Sequence, residues 1–273
     1  MKRTAKLFGM ILAVLMLLTS VKVDAATDWN SGTITATGYG VPTTGTHGAQ
    51  ARYLARRAAI ADAYRQLLEI IKGVQVDSET TVEMMMVTSD IIRTKVSGTV
   101  NGARVIDEKM TPDGGYEVTV QIGMFGQNSL ADAVIERPTG PAEVVPFPAP
   151  QPTMPSAPSV TITVSGGYTG VVIDCRGLGL NPVMSPVIKD ASGNKLYGHK
   201  NIDPDYVIQH GMASYAHDMS MASRAGSNPL VIKAVSLADH NANPVVSVDD
   251  GNLMLLENNS AHFLSSTAVV FLY

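Results

Sequence analysis

The distribution of apolar and polar positions divides the chain into segments of different period. "SGTITATGYG" is rich in β-branched residues and ends in glycines, which predicts a strand, and a polar loop follows to His47. From Arg52 to Val76 the text reads "RYLARRAAIADAYRQLLEIIKGVQV". Ile60, Tyr64, Leu67 and Ile71 recur at helical spacing, and Leu54, Ala58, Ala61 and Leu68 form an adjacent stripe, so the spacing predicts a helix with a wide apolar face. Gly73 stands where a C-terminal cap belongs. A second helix is expected from about Thr80 to Val96, with Val82, Met85, Met86 and Ile92 on its apolar side and Gly98 at its end. "ARVIDEKM" and "YEVTVQIGMF" flank the turn Pro112–Gly115, and Tyr116, Val118, Val120 and Ile122 alternate with polar neighbours, the period of a strand with one buried face. The expected result is an antiparallel sheet with two helices packed on it.

Between Pro138 and Pro158 lie eight of the fifteen prolines, with little charge. Proline fixes φ and removes a backbone donor, so this stretch reads as an extended, semi-rigid spacer over 137–158, dividing a domain at 26–136 from another at 159–273. In the second domain "VTITVS", "TGVVIDC", "PVIKD", "PLVIKAV", "PVVSV" and "TAVVFLY" read as strands, and "DASGN" as a turn between two of them. Helices are expected over Asp203–His210 and Asp249–Leu264, each with its aspartate as N-cap. The fold class expected for the whole chain is α+β in two small domains, the second built on a mixed sheet.

Charge and composition then narrow the function. Lys2, Arg3 and Lys6 precede an apolar run from Leu7 to Leu18 and the small residues around Ala25, the pattern of a cleaved secretory signal peptide. The run falls short of the roughly 20 residues that span a bilayer, so an uncleaved anchor is the weaker alternative. Cleavage after Ala25 leaves 16 basic and 23 acidic residues, a net charge of −7, which argues against a nucleic-acid partner. Cys175 is the single cysteine, so each domain must be stable without a disulfide, and no cysteine near the cleavage site offers a lipid anchor. The expected location is secreted and periplasmic.

Three groups carry candidate chemistry. Arg52, Arg56, Arg57 and Arg65 could form an anion-binding stripe, but Asp62 and Glu69 lie within reach on the same helix. A solvated, salt-bridged face, or one turned toward a partner protein, is the reading taken. Asp174 and Arg176 share a face and, with Arg224, form the one polar cluster to inspect for a ligand, against the simpler reading of a structural ion pair. His210, Met212, His217, Met219 and Met221 combine imidazoles with thioethers, a donor set suited to Cu(I), although their spacing matches no ligand pattern and core or loop methionines explain them as well. "RGLGLNP" lacks the third glycine and the Lys-Ser/Thr of a phosphate loop, and "SGNK" sits in a turn rather than opening a helix. Cys175, in an apolar strand, reads as an inert thiol. No sequence pattern for a nucleophile with its base emerges and no cofactor is implied, so the chain is expected not to be an enzyme.

"GTITATGYG", "LARRAAIADAYRQLLEIIKGVQVDSETTV" and "VSGTVNGARVIDEKMTPDGGYEVTVQIGMFG" resemble the Lpp-twenty lipoprotein family and the similar N-terminal domain of the flagellar assembly protein T, over about residues 31–126. The resemblance implies an envelope protein whose partners are envelope or flagellar basal-body proteins. The lipobox cysteine of the lipoprotein members is missing, so lipid anchoring is not carried over. "GVVIDCRGLGLNPVMSPVI" and "RAGSNPLVIKAV" resemble a domain that accompanies this module in other bacterial proteins and implies no activity. The function expected is an assembly or protein-interaction module of the cell envelope, with homo-oligomerisation left open; the alternative is a periplasmic small-ligand or metal-binding protein.

Overall fold

The computed structural model describes residues 25–138, 140, 143–151 and 166–273. The predicted signal peptide, the predicted strand at 160–165 and much of the proline-rich stretch lie outside the described residues.

The N-terminal half contains β1 (Ala25–Asp28), β2 (Thr33–Gly40), α1 (Gly48–Lys72), α2 (Val82–Thr88), α3 (Asp90–Asn101), β3 (Arg104–Met110), β4 (Tyr116–Gly123) and α4 (Leu130–Val134). The strands form an antiparallel sheet in the order β1-β2-β4-β3, and α1 lies across β2 and β4. Val118, Val120 and Ile122 face the core as expected. Glu117 is also buried, with its carboxylate 2.8 Å from Lys109 Nζ.

The face of α1 that meets the sheet overlaps the expected one only at Leu67 and Ile71. It is Ala51, Ala55, Ala59, Ala63, Leu67 and Ile71, a strict four-residue repeat, whereas Ala58 and Ala61 are exposed and Ile60, Tyr64 and Leu68 pack only along the margin. The reason lies in the opposing strand. A Cβ on Gly38 would overlap the backbone of Ala59 and Ala63, and one on Gly40 would overlap Ala55 O. Only small side chains fit where α1 crosses Gly38 and Gly40, so the row carries alanine there and the larger Leu67 and Ile71 only beyond the crossing.

The second predicted helix is two. Ser89 breaks it with an extended backbone, φ −138° and ψ 114°, while its hydroxyl accepts from Ile92 N–H and so caps α3. Thr81 caps α2 in the same way, through Met84 N–H. Gly98 lies inside α3, which runs on to Asn101 and ends at Gly102.

The C-terminal half contains β5 (Gly170–Asp174), β6 (Ile188–Asp190), β7 (Lys195–Tyr197), α5 (Pro204–His210), β8 (Ser214–Ala216), β9 (Pro229–Lys233), β10 (Ser236–Ala238), β11 (Asn243–Val246), α6 (Val248–Ala261) and β12 (Val269–Leu272). One sheet, β8-β12-β5-β9, is wholly parallel; the other, β10-β11-β6-β7, is mixed. In the central pair Val171, Val172, Ile173, Val269, Val270, Phe271 and Leu272 are all buried, so the unbroken apolar runs are those of strands covered on both faces. Asp203 caps α5 as expected, but Ser247 caps α6 in place of Asp249, accepting from Asp250 N–H at 3.0 Å. Strands β7, β8 and β10, three residues each, are too short to show a period.

The two halves pack directly on each other. Met184 N–H donates to Gln75 O (3.0 Å), Ser185 N–H to Val76 O (2.8 Å) and Gly126 N–H to Ile208 O (2.8 Å). Trp29 meets Tyr215 edge-on at 5.5 Å, and Arg137 bridges Asp132 of α4 and Asp205 of α5. The proline-rich stretch is therefore not what sets their separation. Its described residues 143–151 run along the C-terminal half: Val145 N–H donates to Lys200 O, Phe147 stacks on Tyr197, and Gln151 exchanges two hydrogen bonds with the Asn252 amide. Proline leaves these carbonyls free of local partners, and side-chain amides take them up.

Candidate functional site

The parallel sheet brings part of two sequence groups together. Parallel strands present their carboxyl ends on one side, the usual place for a ligand in an open α/β sheet. Here β5 ends at Asp174, β8 delivers His217, and the turn after it carries Met219 and Met221, both partly exposed. The structure adds residues that sequence reasoning missed, namely Asp218, Lys233 and Tyr273, because nothing in their spacing shows that β8, β9 and β12 end side by side.

The charges at this end are already matched. Arg176, in the turn beyond β5, donates from Nε and Nη2 to the two oxygens of Asp174 at 2.9 and 2.7 Å. That hydrogen bonding holds the Asp174 carboxyl below the usual carboxylate range, with a further contribution from Lys233. Asp218 faces Arg176 electrostatically and also accepts from Ser220 N–H. His217 lies against the Tyr273 ring at 4.6 Å and near the charge of Asp28. Within this cluster Asp174 and Arg176 are committed to each other, which leaves neither free to hold an ionic ligand.

Arg224 is elsewhere. It lies at the opposite end of the sheet, beside the start of β12, where Nε donates to Thr267 O and Nη2 to Thr267 Oγ1 and Gly211 O. Burial pushes its pKa down, and all its bonded acceptors are neutral, so it acts as a staple between three loops and does not join Asp174 and Arg176.

The histidine and methionine group is also dispersed. Met212 is wholly buried and its sulfur accepts from Ser185 Oγ at 3.3 Å; His210 stacks on Tyr206 at 4.3 Å. Among the described residues no group of three His, Cys, Asp or Glu is placed to hold a metal ion.

On α1 the arginines meet several partners. Arg56 pairs with Glu108 of β3 at 2.7 Å, Arg65 with Asp62 at 2.6 Å, and Arg57 lies over the Tyr53 ring at 5.8 Å, while Arg52 is exposed. Glu69 pairs with Lys72. Cys175 is buried and its thiol is pushed up to about 12 by burial, which keeps it protonated and unreactive. "RGLGLNP" forms a tight turn with Gly177 and Gly179 at positive φ, and no helix follows to bind phosphate. "SGNK" belongs to the β6–β7 hairpin, where Asn194 N–H donates to Asp190 Oδ1.

Comparison with known proteins adds two findings. No curated protein matches the chain. Residues 30–123 match the family model of the LPP20 lipoprotein, and residues 170–273 match that of the second domain of Treponema pallidum Tp0624. Each match falls within one of the two packed halves, so the chain joins an LPP20-like domain to a domain similar to the second domain of Tp0624.

Proposed function

We propose that this chain is a non-enzymatic, envelope-associated interaction module that docks a partner protein along the open edge of its N-terminal sheet. The observation that carries this reading is β3. It is the edge strand of the sheet, every one of its seven residues is exposed, and among them are Val105, Ile106 and Met110. Such an edge offers unpaired backbone groups for strand addition, with alternate side chains available for specificity. A bulge between Val105 and Asp107 interrupts the ladder at Ile106. Bulges disfavour indiscriminate strand pairing, so a partner has to be shaped for this edge.

The envelope setting is supported by the LPP20 lipoprotein match and the leader-like first residues, and no helix among the described residues is long and apolar enough to cross a membrane. Flagellar basal-body proteins are the partner class that the first module's resemblance favours. The absence of enzymatic activity is supported by the protonated Cys175 thiol and the committed Asp174–Arg176 pair.

The test is in-cell photocrosslinking from a reactive residue at Ile106, with one at the exposed Val235 of the other half as control. Capture of one envelope component from Ile106 and not from Val235 is expected. Equal capture from both, or none from Ile106, would sink the edge-docking reading; recovery of a second copy of the chain would redirect it to self-association.

A further inference from the structure

The described part of the proline-rich stretch, "EVVPFPAPQ" at 143–151, is seated on the C-terminal half as an extended peptide is seated in a groove. Its backbone is held at both ends. Val145 N–H donates to Lys200 O at 2.8 Å, and Asn201 Nδ2 donates to Val145 O and Pro146 O at 3.0 and 3.3 Å. At the other end the Asn252 amide of α6 accepts from Gln151 N–H at 2.8 Å and donates back to Gln151 O at 3.0 Å. Asparagine is a poor residue for a helix interior, and burying its amide is costly unless the group is bonded. Asn252 is only 6% exposed, so its place in α6 is explained by the backbone it holds.

Between these ends the side chains use one face. Within 143–151 only Phe147 and Pro150 are partly buried, and every other residue is exposed. A spacing of three is the period of polyproline II, which the fixed φ of proline favours. The Phe147 ring lies parallel to that of Tyr197, with 2° between the planes and 6.2 Å between centroids, and Tyr197 is wholly buried. The Tyr197 hydroxyl donates to Met212 O at 2.6 Å, which fixes this aromatic floor in place. Aromatic surfaces that take proline-rich segments in their preformed extended shape are a recurring mode of peptide recognition. With so little of its surface buried, the strap belongs to the part of a fold that opens at low cost.

We propose that the C-terminal half carries a groove for extended segments with an aromatic residue between prolines, that the chain's own strap fills it in cis, and that a partner protein bearing such a segment binds there in its place. The groove is on the other half from β3, so edge docking and strap exchange can fail independently. A tethered segment acts at an effective concentration on the order of millimolar, so a free peptide gains the groove only where the strap is weakened.

The experiment is fluorescence anisotropy of the labelled peptide Glu143–Gln151, titrated with the full chain. The Phe147→Ala chain is expected to bind the peptide saturably and at least tenfold more tightly than the parent chain, because its own strap has lost its anchor. The same peptide carrying Phe147→Ala, a change that cannot disturb the fold of the receptor, should bind the variant chain at least tenfold less tightly. Adding Asn252→Ala to the variant chain should cost a similar factor, through the loss of two hydrogen bonds. Gln151→Pro removes the N–H given to Asn252 and weakens the strap at its other end, so it should open the groove as Phe147→Ala does and keeps the test independent of that one variant. No saturable binding to either strap variant, equal binding by the parent, or equal binding of the Phe147→Ala peptide would each overturn the proposal. Concentration-dependent dimerisation of the parent that Phe147→Ala abolishes would overturn occupation in cis and show the strap seated on a second copy of the chain.

Discussion

In the N-terminal half α1 lies on β2 with backbone almost against backbone, Ala55, Ala59 and Ala63 over Gly38 and Gly40, whereas in the C-terminal half β5 and β12 are packed through Val171, Ile173, Phe271 and the Tyr215 ring. The first arrangement is built by removing side chains, the second by filling space with them. They differ in tolerance. A packed aromatic can lose an atom and leave a gap its neighbours partly close, but a helix held at backbone contact has no room to retreat from an added Cβ. The C-terminal half has one approach of the first kind, at Gly170, where a Cβ would come within 2.6 Å of Ala225 Cα and Ala268 O.

The sharpest way to break this comparison is Gly38→Val. It should cost more than about 3 kcal/mol, enough to unfold the N-terminal half, since the added carbons meet backbone rather than flexible side chains. Chemical denaturation followed at Trp29, with limited proteolysis of both halves, would show the loss; a Gly38→Val chain as stable as the parent would mean that α1 is not seated as described.

Next in size is Tyr215→Phe in the filled half. The hydroxyl accepts from Val183 N–H at 3.0 Å and donates to Val183 O at 2.9 Å, so its removal leaves two buried backbone groups unbonded while the ring stays in place. A loss of about 2 kcal/mol is expected from equilibrium unfolding.

Acid should act on the junction more gently. The Arg137 guanidinium holds the Asp132 carboxyl below the usual range, and Arg137 also reaches Asp205 across the interface. A depressed folded-state pKa contributes stability that is present above the unfolded value, about pH 4, and is lost as pH falls through the folded value. Asp174 and Asp239, lowered by Arg176 and Lys189, act in the same direction. A stability profile should therefore fall below about pH 4, and Arg137→Ala should flatten part of the fall.

The smallest effect is expected at Arg56→Met. Arg56 and Glu108 are both well exposed, and exposed pairs contribute about 0.5 kcal/mol or less. A shift in Tm larger than that of Tyr215→Phe would show that this pair, rather than the alanine and glycine contact, anchors α1 to the sheet.

Most elements were legible because each carries its own period or cap: β4 in its alternation, α5 in Asp203 followed by Pro204, β5 and β12 in their unbroken apolar runs. The misplaced face of α1 has a specific cause. Periodicity marks apolar residues of any size, while the contact surface over Gly38 and Gly40 is selected by smallness, and glycine in "TATGYG" signals that only when its partner helix is known. The break at Ser89 was hidden because apolar residues continue on both sides of it. The turn between β10 and β11 also carried a signal: "DHNAN" at 239–243 gathers the residue types that best tolerate left-handed backbone, which Asp239, His240 and Asn241 adopt.

What the sequence determined by itself is local. Cap residues, strand alternation and covered apolar runs are written within a few positions of where they act, and so is the inertness expected of a lone cysteine in an apolar strand. The tertiary structure alone decided which ends of β5, β8, β9 and β12 meet, that Arg224 stands apart from Asp174, and that the two halves touch. Those relations are set by chain topology and by the packing of surfaces far apart in sequence, and no short-range pattern encodes the distance between residues that only folding brings together.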